Sequence, residues 1–118
     1  MLTVILQSLP TSSGWRLFKI EGQLDFTSAP TVRMALAYVA GRDRSNMLVD
    51  LENVRAVDDK GVAALTGALR RLRSEDPQRH LALVARQRSL AESLTRGDLP
   101  SDIRIYRSGR EALRSIAA

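Results

Sequence analysis

The sequence predicts an α/β fold built on a mixed, largely parallel sheet of about five strands with about four helices and an opening β-hairpin. Three observations predict it: two apolar runs close together at the start, then strand-length apolar runs alternating with helix-period segments, and no linker or low-complexity stretch between them. The order reads β, β, α, β, α, β, α, β, α. Alternation of this kind calls for parallel strands joined by right-handed crossovers.

Leu2–Leu6 is a β-branched apolar run of strand length, ended by the turn cluster Pro10–Gly14. The next run, Trp15–Ile20, sets Leu17 and Trp15 on one face and Phe18 and Ile20 on the other, with Gly22 closing it. A short turn between two such runs predicts a hairpin. Thr27-Ser28-Ala29-Pro30 is a helix start, a hydroxyl cap followed by proline in the first turn. Val32, Ala35, Leu36 and Val39 then share one helical face, and Gly41 is the expected stop. Met47–Leu51 is a compact strand, and Val54 and Val57 continue the apolar sequence toward Asp58-Asp59-Lys60-Gly61. Beyond that turn the period changes: Val62, Leu65, Leu69 and Leu72 are spaced for one face of a helix ending before Glu75-Asp76-Pro77. His80–Ala85 reads as a buried strand, with His80 at its surface or edge. Ser89–Arg96 reads as a short helix closed by Gly97, and Ile103–Tyr106 as a last strand. Ser108-Gly-Arg-Glu111 has the form of a capping box and opens a helix carrying Ala112, Leu113 and Ile116.

Composition removes many function classes. The 118 residues suit a single domain over 1–118, and 44% hydrophobic with 26% charged residues is the profile of a folded chain. There is no cysteine and one histidine, which excludes thiolate catalysis, Cys-based zinc sites and histidine pairs. Met1–Leu9 is apolar but lacks the basic start of a signal peptide, and no run reaches membrane-spanning length, so a cytoplasmic protein without membrane contact is expected. The formal charge of +5 raises nucleic acid as a partner. Its distribution argues against that: the densest cluster, Arg70, Arg71, Arg73, Arg79, Arg86 and Arg88, has no interleaved aromatic residue, with Tyr38 and Tyr106 far away in sequence. Arg70, Arg71 and Arg73 near a helix C-terminus read as a solvated face favoured by the dipole. No nucleophile–base pair, phosphate-binding glycine loop or dinucleotide fingerprint is present, and the chain is read as a non-enzyme needing no cofactor or metal.

The informative segment runs from Met47 to Leu69. A buried strand enters a polar turn with two adjacent carboxylates and a glycine, and an amphipathic helix starts there. Free N–H groups and the positive dipole end favour a negative group at such a point. Asp58 or Asp59 can cap the helix. Capping explains one aspartate; a second followed by Gly61 is slightly more than capping needs. Asp25, at the end of the second strand, joins the same rim if the two strands are parallel; its alternative is a turn aspartate with a local hydrogen bond.

Val49-Asp50-Leu51, the turn Val57-Asp58-Asp59-Lys60-Gly61 and the helix face Val62 and Leu65 resemble the STAS domain pattern of bacterial anti-sigma factor antagonists (the SpoIIAA-like family). Glu21-Gly22-Gln23-Leu24-Asp25 matches that family's strand-end glycine, leucine and aspartate, and Ser108–Leu113 its closing helix. The resemblance spans essentially the whole chain and implies the STAS-type sheet and a partner-switching module that binds an anti-sigma factor acting also as a serine kinase of the GHKL ATPase type. It implies that Asp25, Thr27, Asp58, Asp59, Lys60, Gly61 and Val62 form the partner-binding rim. In the family the turn reads aspartate, serine, serine or threonine, glycine, and the first serine accepts phosphate. Asp59 stands at that phosphoacceptor position and has no hydroxyl, while Lys60 removes the neighbouring one. A carboxylate brings about −1 where phosphoserine brings about −1.5 to −2 with three acceptor oxygens. Two consequences are open at this stage: a state fixed to resemble the phosphorylated one, or a surface diverged to bind another partner constitutively, with Lys60 as a new contact. The rival classes are a STAS protein of a lipid-trafficking or small-ligand and nucleotide-sensing system, and a basic nucleic-acid-binding domain; self-association as a homodimer is compatible with the regulator.

Overall fold

The computed structural model describes residues 4–10, 14–42 and 44–117. Strand β1 (Val4–Pro10) runs antiparallel to β2 (Trp15–Leu24), with Leu6 opposite Ile20. Residues 1–3 and 11–13, which hold the start of the first apolar run and the centre of the expected hairpin turn, lie outside the described residues. Helix α1 (Ala29–Arg42), strands β3 (Asn46–Asp50) and β4 (Val54–Val57), helix α2 (Asp59–Glu75), strand β5 (Leu81–Val84), helix α3 (Arg88–Arg96), strand β6 (Arg104–Tyr106) and helix α4 (Gly109–Ala117) follow.

The sheet order is β1-β2-β3-β5-β6, and every strand after β1 is parallel to its neighbour. Strand β2 is long enough to serve two partners. Its first half pairs with β3, Trp15 to Lys19 against Asn46 to Asp50, and its end pairs with β4, Leu24 against Val57. Gly22 does not end the strand: at φ 98° it supplies a backbone bend that an L side chain resists, and the register shifts between Gly22 and Gln23 so that β2 can turn toward β4. Strand β4 is thus a separate sixth strand where the sequence shows only a continuing apolar run. Helix α1 likewise passes through Gly41 to Arg42.

Helices α1, α2 and α3 cover one face of the sheet and α4 the other. Phe18, Ile20, Met47, Val49, Leu81 and Leu83 meet Val32, Leu36, Leu65, Leu69, Leu90 and Leu94 in the larger core. Leu48, Ala82 and Val84 point the opposite way and meet Ala112, with Trp15, Leu17, Tyr106 and Ile116 partly buried beside them. Central strands covered on both faces read as continuous apolar runs, which is why β3 and β5 show no alternation. The exposed His80 ring stacks on Trp15 with centroids 6.5 Å apart.

Because the strands are parallel, α1, α2, α3 and α4 all begin at the carboxyl ends of strands. The β2–α1 and β4–α2 junctions therefore sit on one rim, side by side.

Candidate functional site

The rim is built around Asp58. Its backbone is extended (φ −127°, ψ 171°), and its Oδ1 accepts the N–H of Gly61 at 2.8 Å, making it the N-cap of α2. Its Oδ2 accepts the N–H of Phe26 at 3.2 Å, and its own N–H donates to the Leu24 carbonyl at 3.1 Å. One carboxylate thus caps a helix and ties the two junctions together. Of the two aspartates in the turn, Asp58 is the one used structurally.

Gly61 makes that tie sterically feasible. A Cβ at this position would overlap the carbonyl carbon and oxygen of Leu24 and reach within 2.6 Å of the Asp25 nitrogen. These are backbone atoms with no rotamer to yield, so the first turn of α2 can lie this close to the end of β2 only with glycine there.

Asp25 organises the neighbouring junction. Its Oδ1 accepts the Thr27 hydroxyl at 2.6 Å and the N–H groups of Thr27 and Ser28 at 3.0 and 3.1 Å. The Thr27 hydroxyl foremost, then the Ser28 N–H, hold its carboxyl below the ordinary aspartate value. The hydroxyl cap expected at Thr27-Ser28 is accordingly replaced by an aspartate turn. The Ser28 hydroxyl points back instead, donating to the Gln23 carbonyl at 2.8 Å. The local-hydrogen-bond reading of Asp25 and its place beside the Asp58 turn both hold at once.

The remaining rim residues divide by exposure. Asp59 and Lys60 project from the first turn of α2 into solvent, and Asp59 has no hydrogen-bond or ion-pair partner among the described residues. Thr27 is exposed as well. Gly61 and Val62 are buried, with Val62 in the main core at 7% exposure, so they shape the turn from beneath and offer a partner little surface. Phe26, absent from the rim residues that the resemblance implies, is 63% exposed between Asp25 and Asp58. The signal for it was weak: a bulky aromatic inside a turn of polar residues. Asp59 also opens a groove of about 380 Å³ between α2 and α3 that contains Arg70 and Arg96.

The arginine cluster resolves differently from a free basic patch. Arg70 pairs with Asp98 at 2.9 Å, Arg71 with Glu75 at 3.0 Å and Arg73 with Asp102 at 2.5 Å. Arg79 is only 7% exposed; its guanidinium donates to the Ala40 carbonyl at 3.0 Å and faces Asp76 at 3.6 Å. Asp50, at the end of β3, is buried, and burial raises its carboxyl above the ordinary value against the opposing Glu52 N–H bond. Glu52 beside it accepts the Gly109 N–H at the start of α4, and the Ser108 hydroxyl accepts the Glu111 N–H. Glu52 therefore serves the closing helix, and Asp50 holds the Glu52 backbone. Among the described residues no helix is long and apolar enough to cross a membrane, and no group of three His, Cys, Asp or Glu side chains is placed to hold a metal ion.

Comparison with solved structures finds this architecture repeatedly. An anti-sigma factor antagonist from Mycobacterium paratuberculosis superimposes with a TM-score of 0.77 at 18% identity, covering 98% of this chain and 95% of that one. A serine-to-glutamate variant of RsbS from Moorella thermoacetica gives 0.74 at 17% identity over 95% and 94% of the two chains. The phosphorylated form of the Bacillus cell fate determinant SpoIIAA gives 0.68 at 15% identity over 95% and 99%. At these identities the likeness is one of fold. Among curated proteins compared by sequence, none matches. The STAS domain profile matches residues 7–112, which takes in both junctions of the rim and the start of α4. The chain belongs to the STAS domain family.

Proposed function

We propose that this protein is a non-catalytic, protein-binding regulator of the anti-sigma factor antagonist type, and that the rim of Asp25, Phe26, Thr27, Asp58, Asp59 and Lys60 is its partner-binding face. The partner is an anti-sigma factor with serine kinase activity of the GHKL ATPase type. One observation carries the reading: Asp58 is committed to capping and tying the turn, which leaves Asp59 exposed and unpaired among the described residues; by the resemblance to the antagonists it stands where they carry the phosphoacceptor serine.

Asp59 makes the negative charge permanent. It stands in the first turn of α2, where the dipole favours an anion, by about 0.3–1 kcal/mol at an exposed site. A partner evolved to release a phosphorylated antagonist meets a face that always carries part of that signal, about −1 in place of about −1.5 to −2. Phe26 supplies the apolar anchor that such a face needs, since interface energy concentrates in a few large side chains. Gly61 and Val62 contribute by fixing the turn.

The experiment is calorimetric titration of the native chain and of Phe26→Ala and Lys60→Glu into anti-sigma factor kinases of the source genome. Both substitutions should change the affinity at least about tenfold for the cognate kinase, as loss of an anchor or reversal of a rim charge does. A control on the opposite end of the sheet, Arg44→Glu, should leave it unchanged. Binding insensitive to Phe26 and Lys60, or lost with Arg44→Glu, contradicts the assignment of the face.

A further inference from the structure

The fold divides the arginines into two sets. Arg70, Arg71 and Arg73 of α2 each hold a carboxylate, and two of those carboxylates, Asp98 and Asp102, come from the chain beyond α3. Arg88, Arg107 and Arg110 are exposed and have no ion-pair or side-chain hydrogen-bond partner among the described residues. They come from different elements: Arg88 opens α3, Arg107 follows β6, and Arg110 lies in the first turn of α4. Strands β5 and β6 are parallel neighbours, so the segments that leave their carboxyl ends start side by side.

Arg88 and Arg107 line one open groove of about 380 Å³, together with Ala91, Glu92, Thr95 and Arg96. Three arginines against one glutamate leave it positive. Glu92 stands 3.9 Å from Arg96, so Arg88 and Arg107 are the two charges left over. The Thr95 hydroxyl is turned to the Ala91 carbonyl at 2.8 Å, which leaves the guanidiniums as the donors of the groove. Two residues before Arg88, Arg86 borders a different groove, where it and Arg55 are matched by Glu21 and Glu52. The positive surplus is therefore confined to the α3, β6 and α4 side.

From this charge pattern we infer that an acidic segment of a partner protein docks along the groove, its carboxylates taken by Arg88 and Arg107 and its chain continuing toward Arg110, whichever partner takes the Asp58 rim. Each guanidinium presents paired N–H groups that match the two oxygens of a carboxylate. Nucleic acid fits less well. Glu92 in the groove and Glu111 beside Arg110 interrupt the positive surface, so an unbroken row of phosphates would run over carboxylates, while a peptide can place its charges only where the arginines stand. No aromatic ring lines the groove for a base to stack on.

Fluorescence anisotropy with a labelled peptide of alternating glutamate and alanine, and with labelled duplex DNA of equal total charge, tests the inference on the full chain at physiological salt. The peptide should bind more tightly than the DNA, and Arg88→Glu and Arg107→Glu should each weaken it by about tenfold. Arg33→Glu makes the same change in net charge on the exposed side of α1 and should stay within about twofold of the native chain. A glutamate in the first turn of α3 suits the helix dipole, so a loss of binding in Arg88→Glu is not a loss of fold. Arg33→Glu weakening the peptide as much as Arg107→Glu would show binding that follows net charge alone and overturns the inference. A native chain that prefers the DNA, or that does not bind the peptide, overturns it as well.

Discussion

Replacing Gly61 with alanine tests how the rim is held together. The added methyl meets the Leu24 carbonyl and the Asp25 nitrogen, all main-chain atoms, so the first turn of α2 must move away from the end of β2. Overpacking of this kind costs about 1–3 kcal/mol. The movement also strains the bonds from Gly61 and Phe26 to Asp58, at 2.8 and 3.2 Å, and loss of such a cap adds about 1 kcal/mol. The expected total is about 2–4 kcal/mol, a large share of the stability of a domain this size. With an unfolding entropy of about 2.1 cal/mol/K per residue, 118 residues give about 0.25 kcal/mol/K, so Tm should fall by about 8–16 °C. Thermal unfolding followed by circular dichroism, with urea midpoints alongside, measures it. Gly67→Ala, six positions along the same helix, is the matched control: the nearest atom is the end of the Arg70 side chain at 3.8 Å, and alanine should stabilise the helix by about 0.5–1 kcal/mol. A Gly61→Ala Tm within about 2 °C of the native value would refute the close-approach argument.

Other expectations concern the carboxylates. Asp58→Ala should cost about 1–2 kcal/mol by denaturant titration, whereas Asp59→Ala should stay within about 0.5 kcal/mol of the native chain, because the first caps α2 and the second faces solvent. Asp25 and Asp102 are both held below their ordinary values, by the Thr27 hydroxyl and by Arg73 respectively. A carboxyl depressed in the folded state contributes stability that is present above its unfolded value and is lost as pH falls through the folded one, so Asp25→Ala and Asp102→Ala should flatten acid unfolding below the ordinary aspartate range. Asp50 has the opposite sign: raised by burial, it makes the chain more stable as pH falls through its folded value toward its unfolded one. Asp50→Asn, which can still accept the Glu52 N–H, should erase that rise without loss of stability at neutral pH, as read from urea midpoints across pH.

Much of this architecture is legible in the residues because burial imposes a period. The face Val62, Leu65, Leu69 and Leu72 is the buried face of α2, and the apolar runs at Met47–Leu51 and His80–Ala85 contain strands covered on both sides. Strand β4 escapes such reading because only Val54 is fully buried in it, with Arg55 and Ala56 exposed. It exists through pairing with the far end of β2, a long-range bond that no local pattern encodes. Thr27 and Ser28 suggest a hydroxyl cap, yet Asp25 takes the role because its carboxylate accepts three bonds where one hydroxyl accepts fewer. The turn at Asp58 and Asp59 stands out in the sequence as one acidic pair; only the geometry separates a tying aspartate from an exposed one. The need for glycine at 61 is equally tertiary, since the backbone it approaches belongs to residues 24 and 25.

The most direct test of the regulatory reading is the affinity of the cognate anti-sigma factor kinase for the native chain and for Asp59→Ser, measured before and after incubation with ATP. The serine variant should bind at least about tenfold more tightly, accept phosphate at position 59, and fall back to the native affinity or below once phosphorylated, since phosphoserine carries more charge than aspartate. A serine variant that binds no better than the native chain and takes up no phosphate would contradict the claim that Asp59 stands in for the phosphorylated residue.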